Sequence, residues 1–151
     1  DKHIFDFSGI NSRLDELQAS FLNIKLKYLD EWNAERKNLA ERYYQNLQDI
    51  GDIQTAALSA NAEPVFHIFP ILTSRREELR AFLLNNGVQT LRHYPLPYHL
   101  EGAFQHLGYK KGSFPVTEMI CNRELSLPLF PGLKTDDIDY ISKLVASFFS
   151  K

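Results

Sequence analysis

Two short stretches of this 151-residue chain combine polar side chains at spacings that suit ligand binding. In the first, residues 8–19, Asn11, Ser12 and Arg13 precede an apolar helical pattern. Ser12 and Asp15 have the spacing of a capping box, which predicts that a helix begins at Ser12. An amide and a guanidinium beside free helical N–H groups would suit an anion, with phosphate the obvious candidate. The alternative is that Asn11 and Ser12 only cap the helix.

The second stretch, residues 93–99, reads His93-Tyr94-Pro95-Leu96-Pro97-Tyr98-His99. Two prolines two residues apart hold the backbone extended, so two histidines and two tyrosines project from a rigid loop at a strand end. Such a cluster suits a polar, anionic ligand. A structural proline turn with stacked tyrosines is the alternative. A metal site is disfavoured, because no cysteine or carboxylate joins the histidines at close ligand spacing.

Residues 9–19 read Gly-x-Asn-Ser-Arg-Leu-Asp-Glu-Leu-Gln-Ala and resemble the signature of the DegT/StrS family. These are pyridoxal-phosphate (PLP) dependent aminotransferases that act on nucleotide-linked keto sugars. The loop at 93–99, Phe-Pro-x-x-Glu at 114–118 and Leu-Ser-Leu-Pro at 125–128 are also similar to this family, so the resemblance covers nearly the whole chain. Ile10 departs from it, because the family often has Tyr there.

The resemblance also implies roles for individual residues. The asparagine that matches Asn11 binds the PLP phosphate of the neighbouring subunit, which makes the expected functional unit a homodimer. The loop at 93–99 lies beside the sugar nucleotide in the family. We therefore take Arg13, His93, Tyr94 and His99 as candidate substrate-binding residues, with an amino acid such as glutamate as the amino donor.

The residues that a transaminase needs for its chemistry are not evident in this chain. PLP chemistry requires a lysine that forms a Schiff base with the cofactor and an acidic partner for the pyridinium nitrogen. No lysine here lies in a context like that of the family's Schiff-base lysine. The resemblance implies that residues 1–151 are the C-terminal small domain, without the large PLP-binding domain. We expect no catalytic residue in this chain and no transaminase activity from it alone.

Three classes of function remain open. The leading one is part of a PLP-dependent nucleotide-sugar aminotransferase, and the others are a non-catalytic sugar-nucleotide-binding module and a dimerisation domain. The loop is most similar to members that aminate dTDP-linked 3-keto-6-deoxyhexoses, which favours a dTDP-keto-deoxyhexose as substrate. Such an enzyme would serve deoxyamino-sugar biosynthesis, as for lipopolysaccharide and other cell-surface polysaccharides.

The amino-acid composition indicates the type of protein and its cellular environment. A hydrophobic content of 44% and an aromatic content of 13% indicate a packed globular protein. The net charge of −2 gives no basic surface for nucleic acid. Cys121 is the only cysteine, which excludes an internal disulfide and fits a reducing compartment such as the cytoplasm. No apolar run reaches the length of a membrane span.

The elements that must position these residues follow from apolar periodicity. Helical spacing extends over residues 12–50, but one helix of that length would measure about 57 Å. We therefore expect two helices or a kinked one, with a break near residues 29–32 and Asp30 as the second cap. Leu14, Leu17 and Phe21 begin the apolar face.

Strands are predicted at residues 65–72, 88–93 and 125–129, and helices at 75–86 and 135–149. Pro70 suggests an edge position or a bulge in its strand, and His67 is interpreted as a packing residue. The order predicts an α/β (α+β) fold, a small, mostly antiparallel sheet covered by helices. The resemblance implies the small C-terminal domain of a fold-type-I aminotransferase, with a long N-terminal helix or helix pair.

Overall fold

The structure, a computed structural model, describes residues 14–150 and combines five α-helices with a three-stranded antiparallel sheet in that range. The helices are α1 (Glu16–Leu26), α2 (Leu29–Asn46), α3 (Arg76–Asn85), α4 (Pro115–Arg123) and α5 (Thr135–Phe149). The strands are β1 (Gln54–Thr55), β2 (Phe69–Leu72) and β3 (Glu124–Leu127). The predicted fold class is confirmed.

The chain divides into two units between Trp32 and Asn33. In the first unit, the Asp15 carboxylate accepts a hydrogen bond from the Leu17 N–H at 2.8 Å, so Asp15 is the N-cap of α1. The prediction that Ser12 begins this helix is therefore wrong. Asp15 directly precedes the first helical residue, and its carboxylate satisfies the free N–H of Leu17, so Asp15 supplies the cap that the sequence pattern assigned to Ser12.

The helical stretch is broken as expected, but earlier in the chain. α1 ends at Leu26 and α2 begins at Leu29, which places Asp30 in the first turn of α2 rather than at its cap. The apolar face predicted for α1 is exposed to solvent in this structure. The members of that face are Leu14, Leu17, Phe21, Ile24 and Tyr28.

The second unit has one apolar core between the sheet and its helices. Tyr43 of α2 stacks on Phe69 of β2 with ring centroids 4.8 Å apart, and its hydroxyl donates to the Pro128 carbonyl at 3.0 Å. Burial raises the pKa of Tyr43. The buried side chains of this core include Leu39, Tyr43, Leu47, Phe69, Ile71, Leu79, Leu83, Leu125, Leu127, Ile138, Ile141, Val145 and Phe148.

The sheet has the order β1–β2–β3, and both pairings are antiparallel. β2 begins at Phe69 rather than at residue 65, because Phe66 adopts a positive φ of 50° that interrupts an extended backbone. Pro70 lies in the central strand, opposite Ser126 of β3. β1 pairs only with Ile71 and Leu72, so Pro70 has no partner residue in β1.

The prediction of a strand at residues 88–93 is wrong. This segment forms a single bridge, in which the Leu91 N–H donates to the Ser126 carbonyl at 3.2 Å and the Ser126 N–H donates back at 2.8 Å. Beyond the bridge, the His93 N–H donates to the side-chain carboxylate of Glu124 at 3.0 Å instead of to a backbone carbonyl of β3. Tyr94 then has a positive φ of 55°, which ends the extended backbone.

The starts of α3 and α5 lie within one residue of their predicted positions, 75 and 135. α3 begins at Arg76, and the Ser74 hydroxyl donates to Asp52 at 2.6 Å instead of capping the helix. α5 begins at Thr135, as expected, and Asp137 accepts from the Lys134 N–H at 3.1 Å. In the part of the chain that the structure describes, no helix is both long and apolar enough to cross a membrane.

Candidate functional site

The loop at residues 93–99 begins where the Leu91 bridge leaves the edge of β3. Tyr94 is in the left-handed region, which is uncommon for a tyrosine and turns the chain sharply after His93. Pro95 and Pro97 restrict the next residues, and the chain then enters a 3₁₀ turn over Tyr98–Leu100. The loop is therefore held in one shape by its own backbone.

His93 is anchored to β3 by two hydrogen bonds, which a third hydrogen bond between Ser126 and Glu124 joins into one network. Its backbone N–H donates to Glu124 Oε2 at 3.0 Å, and its ring Nδ1 lies 2.8 Å from Ser126 Oγ. The Ser126 hydroxyl lies 2.5 Å from Glu124 Oε1. Glu124 and Ser126 are 6% and 4% exposed, so one buried polar side chain holds the backbone of His93 and a second one holds its ring.

The sequence interpretation missed Glu124 and Ser126 as site residues. They stand two apart on a strand, so their side chains lie on the same face. A glutamate is seldom buried unless it is paired, and a glutamate at the start of an otherwise apolar strand was the available signal. The proximity of Glu124 and Ser126 to His93 could not be predicted from the sequence, because it depends on the bridge that brings Leu91 beside Ser126.

Glu118 of α4 anchors the other end of the loop. Its Oε1 accepts from the Gly112 N–H at 2.7 Å and lies 3.1 Å from His99 Nε2. Desolvation opposes the charged carboxylate, but the hydrogen bonds from Gly112 and His99 outweigh it and lower the pKa of Glu118. The His99 ring also packs edge-on against Phe114, with centroids 4.9 Å apart.

The predicted substrate residues of the loop have different surroundings. The side chain of His99 is 8% exposed and its Nε2 is engaged by Glu118, which favours a role in holding the loop. Tyr94 and Tyr98 are exposed and meet edge-to-face, with centroids 5.8 Å apart. The substrate contacts of His93, Tyr94 and His99 stay predictions.

His93 lies between two cavities of the second unit. The larger has a volume of about 750 Å³ and is lined in part by Arg36, His67 and Tyr140. Arg36 Nη1 donates to the Leu129 carbonyl at 3.2 Å, which joins α2 to the segment after β3. His67 is exposed at this cavity, so its interpretation as a packing residue is wrong. Phe66 turns the backbone there before the strand begins.

The smaller cavity has a volume of about 360 Å³ and is mostly apolar. Tyr94, Leu96 and Tyr98 line it from the loop, and Cys121 lines it from α4. Burial raises the pKa of the Cys121 thiol, and the charge of Glu124 raises it further. The thiol is therefore protonated at neutral pH and behaves as a small apolar group rather than as a nucleophile.

Other predicted binding residues cannot be placed, because Asn11 and Arg13 lie outside the described residues. Among residues 14–150, no lysine lines either cavity. The described residues therefore do not fit a covalent PLP site on their own. The same range holds no group of three histidine, cysteine, aspartate or glutamate residues that could bind a metal ion.

The sequence model of the DegT/DnrJ/EryC1/StrS aminotransferase family matches residues 1–146, and the chain belongs to this family. It is 41% identical over 140 residues to the erythromycin biosynthesis sensory transduction protein EryC1 of Saccharopolyspora erythraea, covering 93% of this chain and 38% of that protein. It is 41% identical over 133 residues to the dTDP-3-amino-3,4,6-trideoxy-alpha-D-glucose transaminase of Streptomyces venezuelae, covering 88% of this chain and 35% of that protein.

The fold is similar to that of solved aminotransferases. A crystal structure of DesV from S. venezuelae, in complex with a ketimine intermediate, matches with a TM-score of 0.90 at 36% identity, covering 100% of this chain and 41% of that chain. The chain thus spans about two fifths of the length of these relatives. The family resemblance read from the sequence is confirmed.

Proposed function

We propose that this chain is the part of a PLP-dependent nucleotide-sugar aminotransferase that binds the sugar-nucleotide substrate. The enzyme would convert a nucleotide-linked keto sugar, with a dTDP-keto-deoxyhexose favoured, into the amino sugar, and would use an amino acid such as glutamate as donor. The observation that supports this best is the rigid loop at residues 93–99, where His93 is fixed by Glu124 and Ser126 at the border of two cavities.

The loop offers chemistry that suits a nucleotide sugar. His93 can exchange hydrogen bonds with a hydroxyl or an oxyanion, and the exposed Tyr94 supplies a second polar group on an apolar ring. Both side chains extend from a backbone that is already rigid. Ligand binding therefore costs less conformational entropy than it would on a flexible loop. Residues of this kind on a rigid loop orient a substrate without taking part in bond making.

The cofactor and its lysine belong to the same proposal. PLP supplies the electron sink for amino transfer when it is bound. The lysine that holds it would lie outside residues 1–151, in a large domain of the same protein, and these residues would be the small domain. Asn11 would bind the phosphate of PLP in the neighbouring subunit, and Arg13 would contact the substrate.

The family relatives support the biological setting as well. A relative from S. venezuelae is named as a transaminase of a dTDP-linked amino sugar, and one from Acidithiobacillus ferrooxidans as a UDP-linked sugar aminotransferase. We place the proposed enzyme in the cytoplasm, in the synthesis of deoxyamino sugars such as those of lipopolysaccharide. The competing proposal is a non-catalytic module that binds the sugar nucleotide or mediates dimerisation.

The test is the reaction of the whole PLP-loaded protein with a dTDP-linked amino sugar, followed by the absorbance of the cofactor. A spectral change with the parent protein supports an aminotransferase, and a bound ligand without change supports the non-catalytic module. His93→Ala and Tyr94→Ala should each slow this half-reaction roughly 5- to 150-fold, which corresponds to about 1–3 kcal/mol for a partner group left without its hydrogen bond. Their absorbance before ligand addition should be that of the parent.

His106→Ala is the matched control, because His106 is exposed and its ring Nδ1 lies 3.1 Å from the carbonyl of the nearby Ala103. This variant should react like the parent protein. If His93→Ala and Tyr94→Ala also react like the parent, the loop is a structural turn and not a substrate contact.

A further inference from the structure

We propose that Glu124 and Ser126 are positioning residues that determine which ring nitrogen of His93 carries the proton. In the neutral ring, they place the proton on Nδ1 and leave Nε2 as a hydrogen-bond acceptor. The assignment of Nε2 to a ligand rests on the proposed function, but the protonation pattern itself does not.

The assignment follows from counting donors and acceptors in the network. An ionised carboxylate only accepts hydrogen bonds. Glu124 Oε2 accepts from the His93 backbone N–H, and Oε1, 2.5 Å from Ser126 Oγ, takes the one proton of that hydroxyl. Ser126 Oγ can then only accept from the ring nitrogen that lies 2.8 Å away, so His93 Nδ1 must carry a hydrogen.

The network is shielded from competing partners. Glu124 and Ser126 are both buried, and Ser126 is locked in the sheet between Pro70 on one side and Leu91 on the other. Water therefore has little access to invert the direction of these hydrogen bonds. A buried, fully satisfied network of this kind fixes a single arrangement.

The consequence is a preference for a donor on the ligand. A neutral imidazole protonated at Nδ1 has a lone pair at Nε2, which pairs with a hydroxyl and not with an unprotonated phosphate oxygen. The group facing neutral His93 is therefore a sugar hydroxyl rather than the diphosphate.

His99 provides an internal reference with the opposite pattern. Its Nε2 lies 3.1 Å from Glu118 Oε1, and the lowered pKa of Glu118 keeps that carboxylate ionised at neutral pH. His99 must therefore donate from Nε2 in the neutral ring. The two histidines of one loop should be protonated on different nitrogens.

The experiment is 15N nuclear magnetic resonance of the unliganded, labelled protein, at a pH high enough to keep the imidazoles neutral. Couplings from the carbon-bound ring protons distinguish a protonated from an unprotonated ring nitrogen. We expect a protonated Nδ1 in His93 and a protonated Nε2 in His99. A His93 ring protonated on Nε2, or a mixture of both forms, would overturn the proposal.

Glu124→Gln gives the sharpest variant. Its single carbonyl oxygen is needed by the His93 backbone N–H, so its amide group faces Ser126 Oγ and donates to it. The Ser126 hydroxyl no longer has a carboxylate to donate to, so we expect it to donate to His93 Nδ1, which moves the ring proton to Nε2. Ser126→Ala should remove the preference instead, since Nδ1 loses its acceptor. A His93 ring that stays protonated on Nδ1 in both variants would refute the role of these residues.

Ser142→Ala is the matched control. Ser142 is also buried, and its hydroxyl has no hydrogen-bond partner within the described range, so its removal should leave both histidines unchanged. The unchanged pattern of His99 in each spectrum shows that a variant is folded. Because these measurements use neither ligand nor cofactor, their failure would not affect the proposed transaminase, and the failure of that function would not affect them.

Discussion

Arg42 of α2 and Asp139 of α5 form a two-pronged ion pair, with Nε 2.7 Å from Oδ1 and Nη2 2.8 Å from Oδ2. Asn46 adds a third hydrogen bond, from Nδ2 to Oδ1 at 2.7 Å. The bonds from Arg42 and Asn46 lower the pKa of Asp139 from 3.8 to about 2. This pair connects the second helix to the last one on the outside of the core.

The first prediction concerns stability at low pH. A carboxyl group whose pKa is lowered by folding stabilises the folded state fully above its unfolded pKa, and this stabilisation is lost as the pH falls through the folded value. Asp139→Asn should therefore lower the urea midpoint at neutral pH. Its difference from the parent should shrink between about pH 4 and about pH 2.

Asp49→Asn is the control for that titration, because Asp49 has a positive φ of 56° that asparagine also tolerates. Its difference from the parent should be small and should not follow the window of Asp139. A constant difference between parent and Asp139→Asn down to pH 2 would contradict the assignment.

A second prediction tests the anchor of the loop. Glu118→Ala removes the acceptor shared by the Gly112 N–H and the His99 ring. Amide hydrogen exchange should become faster at residues 110–114 and 97–101, while residues of β2 and β3 keep their protection. Glu63→Ala, in an exposed segment, should leave all of these rates unchanged. Parent-like exchange in Glu118→Ala would show that Glu118 does not hold the loop.

A third prediction separates a steric clash from backbone strain. Gly51 and Gly87 both have positive φ, but a Cβ at Gly51 would clash with the side chain of Phe149, whereas one at Gly87 meets nothing within 4 Å. Gly87→Ala should reduce the free energy of unfolding by about 1–2 kcal/mol. Gly51→Ala should cost about 1–3 kcal/mol more, because Phe149 must move. Equal urea midpoints would show that Phe149 adapts without cost.

A fourth prediction concerns the isolated chain and PLP. Since no lysine lines either cavity among residues 14–150, incubation with PLP followed by borohydride should give no stoichiometric adduct at one lysine. Peptide mapping by mass spectrometry provides the measurement. A single, fully labelled lysine would contradict this expectation and would place a cofactor site within the chain.

A fifth prediction addresses Asn11 in the whole protein. Asn11→Ala should weaken PLP retention about tenfold, which corresponds to about 1.4 kcal/mol for one hydrogen bond. If Asn11 acts across the dimer, mixing this variant with a subunit that lacks the cofactor-binding lysine creates one complete site. The activity per remaining lysine should then recover toward that of the parent. Absence of recovery in proven heterodimers would place Asn11 in the site of its own subunit.

The sequence predicted best those features that depend on neighbouring residues. The α5 bounds and the division of the first helical stretch follow from periodicity and local signals. β1 was missed because Gln54–Thr55 is too short to show alternation. The Asp15 cap was missed because two acceptors, Ser12 and Asp15, compete at the same helix start, and sequence spacing does not rank them.

The site was predicted only in part, for a different reason. The prolines of the loop are local signals, so the rigid turn that carries His93 and Tyr94 was readable. Glu124 and Ser126 act on His93 through space, and the contact depends on a single bridge at Leu91. A bridge of one residue pair leaves no periodic pattern in the sequence, so it could not be predicted. The side chains that orient the loop were therefore the part that sequence reasoning could not supply.

The pairing of β2 with β3 also determines when this protein can fold during its synthesis. Phe69 and Leu127, which are paired in the sheet, are far apart in the chain, and the intervening residues must leave the ribosome before they can meet. α5, which covers the core, is the last helix of the described range. The nascent second unit therefore exposes part of its apolar surface until α5 emerges, and exposed apolar surface of this kind promotes aggregation.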